Sequence, residues 1–171
     1  MKDKLALVLA LLLLALLPVT AQAASYHPVP NCQGSPRFCA GVEMAKTRLR
    51  ANVFTLPWIQ WADEQRVLIV EHPEFVPGQW WAKVWEVRPT IWGPSSVTGS
   101  AKDASILLHE IAHLQDGPDC VLDPFSHARV IYWHLLAAEK LGAPADYILM
   151  IYNQWQRYSR ETGGRTEPCR R

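Results

Sequence analysis

Charge is scarce in this chain and it cancels: 17 Lys and Arg stand against 16 Asp and Glu, a formal net charge of +1 at pH 7. So balanced a supply excludes an electrostatic footprint for nucleic acid or for an anionic membrane surface. Cysteine is sparse too, with four residues, none of them in a C-x-x-C pair. That spacing excludes a zinc knuckle or a thioredoxin-type motif. Beyond Leu17 no apolar run approaches the roughly twenty residues of a membrane helix. Internal repeats are missing as well, and so are low-complexity tracts beyond Leu17.

The one long apolar run, Leu5 to Leu17, follows Lys2 and Lys4 and ends at Pro18. Ala21-Gln22-Ala23 then supplies the small-x-small pattern of a signal-peptidase site. The pattern predicts a signal peptide over 1–23 and one exported domain over 24–171, periplasmic or secreted, with no membrane span after cleavage. Loss of Lys2, Asp3 and Lys4 brings the formal charge to zero. A chain of about 148 residues suffices for one hydrophobic core and is short for two. Cys32, Cys39, Cys120 and Cys169 all lie in the exported part, where an even count points to disulfides. Cys32–Cys39 as a local loop and Cys120–Cys169 as a long-range staple is the favoured pairing; free thiols or Cys120 as a metal ligand are the alternatives.

Periodicity predicts an α+β domain, helices packed on a short sheet. Ser35-Pro36 is a helix start, and Val42, Ala45, Leu49 and Val53 follow at helical spacing, with Lys46, Arg48 and Arg50 facing water. Pro57 interrupts the pattern. Val67 to Val70 is a short β-branched run ending at His72-Pro73, and Trp80 to Val87 reads as a second strand with Trp81, Trp85 and Val87 on one side. Pro89 suits an edge, so Arg88 to Trp92 is expected there. Ser100 with Asp103 marks a capped helix start and Gly117-Pro118 its end. Asp123-Pro124 opens another helix, ending at Gly142. Pro144 opens a last one, with an apolar stripe of Ile148, Ile151, Tyr152, Trp155 and Tyr158.

The helix that starts at Ser100 carries Leu107-Leu108-His109-Glu110-Ile111-Ala112-His113-Leu114, an HExxH motif in an apolar run. On a helix the two histidines lie one turn apart, about 6 Å along the axis, and can share one zinc ion. Glu110 is then the candidate general base. A third ligand is required, and the candidates are His127, Asp119, Asp116, His134 and Glu139. His127 comes first because it opens the next helix after one short loop; Asp119 is the runner-up. Asp116 suits the outer shell of a site. His134 lies about 10 Å along the axis from His127, and reads as a hydrogen-bonded core residue. Glu139 reads as a solvated helix face. Tyr132, Tyr147 and Tyr152 are candidate donors to an oxyanion. Trp80, Trp81, Trp85 and Trp92 read as core under a small sheet or as an aromatic wall for substrate, Trp81 and Trp92 being the residues to test.

The motif resembles that of the zincin metalloproteases, and with Gly117-Pro118-Asp119 and Ser126-His127 the segment from Ile106 to Tyr132 resembles small minimal zincins related to the SprT-like group. The resemblance implies a zincin-like domain, zinc on His109, His113 and His127, and Glu110 as general base in peptide-bond hydrolysis. Ala128-Arg129 stands where that group often has Gly-Pro. The resulting expectation is an exported zinc metallopeptidase acting on peptide or protein substrates, cell-envelope ones among them. The other reading is a non-catalytic envelope domain with a structural metal or none.

Overall fold

The computed structural model describes residues 31–85, 88–117 and 123–164. They form an α+β domain of five helices and a four-stranded mixed sheet. The expected signal peptide, Asp119, Cys120 and Cys169 lie outside the described residues.

The elements in order are β1 (Cys32–Gln33), α1 (Pro36–Arg50), α2 (Leu56–Glu64), β2 (Leu68–His72), β3 (Trp81–Trp85), β4 (Arg88–Pro94), α3 (Ala101–Asp116), α4 (Pro124–Lys140) and α5 (Ala145–Glu161). Ser35 caps α1 as expected, its hydroxyl accepting the Phe38 N–H at 3.2 Å. The Cys32–Cys39 disulfide ties β1 to the first turns of that helix across 5.8 Å between Cα atoms. Phe38, Val42, Ala45 and Leu49 are fully buried along α1. Val53 is not part of that stripe: the helix ends at Arg50 and leaves it 88% exposed. Lys46 also departs from expectation. It is buried, and its ammonium meets Asp63 of α2 at 2.6 Å. Pro57 starts α2 instead of ending a helix, because a first turn has no use for the missing N–H.

The sheet order is β1-β2-β4-β3, with β1/β2 and β2/β4 parallel and β3/β4 antiparallel. β4 is therefore an interior strand and β3 lies on the edge, which corrects the edge position expected for Arg88 to Trp92. Pairing with β2 begins at Thr90, so Pro89 and its missing N–H precede the parallel ladder. α3 is the hub of the domain, packing against α1, α2, α4, β3 and β4. α4 lies between α3 and α5. The core runs through Ile59, Ile91, Leu107, Leu108 and Ile111, each 1% exposed or less. No helix among the described residues is long and apolar enough to cross a membrane.

Candidate metal centre

Local sequence sets α3 in place. The Ser100 hydroxyl accepts the Asp103 N–H at 3.1 Å, and the Asp103 carboxylate accepts the Ser100 N–H at 3.2 Å, a reciprocal cap on otherwise unpaired donors. Gly117 ends the helix at φ 96°, a conformation that suits glycine. The next helix opens at Asp123, whose carboxylate accepts the N–H groups of Phe125 and Ser126. Asp116, at the last turn of α3, then accepts from the Ser126 hydroxyl at 2.7 Å and from the Arg129 guanidinium. This latch lays the first turn of α4, with His127, beside His109 and His113. Asp116 itself is the latch and not part of the nitrogen cluster.

The cluster has one ring nitrogen from each of His109, His113 and His127, all within 4.8 Å of one another. His109 Nε2 and His113 Nε2 are 3.1 Å apart. Tetrahedral zinc with Zn–N bonds of about 2.0–2.1 Å separates its ligand nitrogens by about 3.3 Å, so the first pair already has the spacing of two ligands. Burial pushes His109 well below the ordinary imidazole value, as do the neighbouring His134, His113 and His127. Burial and His127 push His113 down to about 4, and burial lowers His127. Neutral rings keep the lone pairs that a cation requires. The Nδ1 atoms of His109 and His113 are buried with no hydrogen-bond partner among the described residues. Two neutral imidazoles facing each other can share only one proton between them, and a cation among the three rings removes that conflict. The donor set thus fits a metal ion, and three histidines able to bind one are what the sequence expectation required.

The cluster opens into a cavity of about 580 Å³ whose wall includes His109, Glu110 and His127. Glu110 is 7% exposed and accepts a hydrogen bond from the Ala82 backbone on β3. Burial pushes its carboxyl up to about 8, against the opposing pull of that bond. β3 therefore does more than close the sheet: its edge position brings a backbone N–H to the candidate base.

His134 also faces the cavity, but its Nε2 is engaged by the Tyr147 hydroxyl at 2.9 Å and lies 3.4 Å from the Ser105 hydroxyl. It is a hydrogen-bonded buried histidine, as expected of a histidine on an apolar helix face. Glu139 is exposed, as expected. Of the three candidate tyrosines, Tyr147 is buried and lines the cavity, whereas Tyr132 and Tyr152 are 37% and 39% exposed and do not. The tryptophans divide. Trp80 is in the core and forms part of the cavity wall, lying over Gly93 so closely that a Cβ there would meet its ring at 2.7 Å. Trp81 is 55% exposed and pairs with Trp92 at 6.0 Å between centroids; neither lines the cavity.

Lys102, to which the sequence assigns no role, and Tyr158, expected only in the apolar stripe of α5, also line the cavity. Tyr158 stacks on the His127 ring at 4.8 Å and 19°. The signal existed: Lys102, Ile106, His109 and His113 share one face of α3, and Tyr147, Ile151, Gln154 and Tyr158 one face of α5, at i+3 and i+4 steps. The apolar stripe of α5 shares Ile151 and Tyr158 with this face and departs from it at Ile148, Tyr152 and Trp155. Comparison of the chain with protein-family models, curated proteins and solved structures gives no match to any of them.

Proposed function

We propose that this domain is an exported zinc-dependent hydrolase, a metallopeptidase. The observation that carries the reading is the cluster of His109, His113 and His127 nitrogens with the buried Glu110 carboxyl in the wall of the same cavity. A site of three imidazoles without thiolate suits zinc and leaves a position for water or substrate. Zinc held by His109, His113 and His127 would supply Lewis acidity toward a carbonyl oxygen and make an attacking water more acidic. Glu110 takes the proton of the attacking water and hands it to the leaving amine. The Ala82 N–H holds that carboxyl in position. Tyr147 lines the same cavity, and in the tautomer whose His134 Nε2–H donates to it at 2.9 Å its own O–H is left for the oxygen of the scissile carbonyl. The Cys32–Cys39 disulfide and the N-terminal pattern support an oxidising compartment, and with it a substrate among exported or cell-envelope peptides and proteins.

Zinc analysis of the purified protein, combined with Glu110→Gln, tests the reading. One zinc per chain is expected in both proteins, with cleavage of a peptide mixture by the parent and a loss of at least about a hundredfold in the variant. Protein without stoichiometric zinc, or cleavage that survives Glu110→Gln, overturns it. His127→Ala should weaken zinc binding far more than Asp119→Ala; the reverse ranking moves the third ligand to Asp119.

A further inference from the structure

The cavity wall carries a second chemistry beside the histidines. It includes Lys102 from α3, Arg157 from α5, and the amides of Gln79 and Gln154. Glu110 is the only carboxylate among the described residues of the wall. Arg157 has a carboxylate partner, with Glu161 accepting from its Nε at 3.1 Å. Lys102 forms no ion pair among the described residues, although it is only partly exposed. Its ammonium is held 5.1 Å from the centre of the Tyr147 ring, facing the cavity. An ammonium resting on an aromatic face, unlike one paired with a carboxylate, retains its N–H donors for an anion.

We infer that Lys102 binds a carboxylate of the substrate, so that the enzyme favours peptides with an acidic side chain or a chain terminus near the bond cut. The distance follows from the helix. Lys102 and His109 are seven residues apart on one face, about 10.5 Å along the axis. An extended peptide covers that in about three residues at 3.3 Å each. Tyr147 connects Lys102 to the histidines, since its ring carries the Lys102 ammonium and its hydroxyl meets His134.

This inference rests on the hydrolase reading for its substrate class, and the test separates the two. Decapeptides in which one Glu is moved along the chain are compared with their Gln counterparts, each with a free or an amidated C-terminus. Cleavage is measured with zinc-loaded protein, and binding to Glu110→Gln protein is measured by fluorescence anisotropy. The zinc-loaded parent should favour Glu over Gln about fivefold to tenfold in kcat/KM at one position, if the carboxylate is a side chain. If it is the chain terminus, the same preference appears for free over amidated ends. Lys102→Met, which keeps the stem over Tyr147, should bring the ratio below twofold, and Lys102→Arg should retain it. Circular dichroism checks that both variants fold. No preference in the parent, or one unchanged in Lys102→Met, overturns the subsite. Cleavage that needs Glu110 but shows no such preference leaves the hydrolase reading standing alone. Lys102-dependent binding of acidic peptides without cleavage keeps the subsite and removes the hydrolase. Peptides that neither bind nor are cut overturn the subsite.

Discussion

At the scale of single residues, Glu110 is where environment and chemistry meet. A carboxyl with 7% exposure has lost most of its hydration, and one backbone donor at Ala82 does not replace it, so burial wins and pushes the group up to about 8. The folded metal-free protein therefore holds this proton across a range in which the unfolded chain, near 4.5, has released it. A folded pKa above the unfolded one contributes stability that is full below the lower value and lost as pH rises through the upper. In metal-free protein, then, Glu110→Gln should leave the melting temperature nearly unchanged at pH 4 and raise it by on the order of 10 °C at pH 8. Calorimetry at the two pH values checks this; equal shifts at both would show that the carboxyl ionises freely in the fold. Such an arrangement is costly for stability and useful for catalysis, because a base poised near neutrality both takes and returns a proton efficiently.

Elements carry the next level of argument, and here the pairing of α1 with α2 is informative. Burial raises the Asp63 carboxyl, but hydrogen bonds from Lys46 and Arg50 outweigh it and hold it below its ordinary value. A lowered acid contributes stability above its unfolded pKa, 3.8, that disappears as pH falls through the folded value. Asp63→Asn should cost about 1–2 kcal/mol at pH 7, a modest figure because Asp63 is partly solvated, and should flatten the loss of stability below pH 4. Urea titrations at pH 7 and pH 3 measure both. The same pair explains what was legible in the sequence and what was not. Ser100 with Asp103, Ser35 with Pro36, and Asp123 with Pro124 work through neighbours a few residues away, so helix starts could be read directly. HExxH was legible for the same reason, and His127 because one short connection limits where it can go. Lys46 looked like a solvent-facing residue because its partner Asp63 belongs to another helix. Pro89 looked like an edge marker because nothing local reveals that pairing with β2 begins one residue later. The cavity faces of α3 and α5 required knowing how the helices are rotated against each other, which their own periodicity leaves undetermined to within a residue or two.

For the molecule as a whole, the candidate site is a joint between layers. His109 and His113 belong to α3, which packs on the sheet and on α1, whereas His127 belongs to α4, which connects α3 to α5. The polar contacts that fasten this joint beside the histidines are those of Asp116 with Ser126 and Arg129. A metal ion held by all three rings is a crosslink between the sheet-bearing layer and the α4–α5 pair. Binding to the folded chain alone stabilises it by about 2.7 kcal/mol when free zinc is at 100 times Kd. For a domain of this size that is roughly 5–11 °C in melting temperature. Zinc added to chelator-treated protein should produce a rise of that order, and His127→Ala should abolish most of it, although His109 and His113 still offer two ligands on one helix. Hydrogen exchange gives the location: zinc should slow amides at the start of α4 as well as those around His109. If protection is confined to α3 and the thermal shift survives His127→Ala, the ion does not bridge the two layers, and the third ligand must come from elsewhere in the chain.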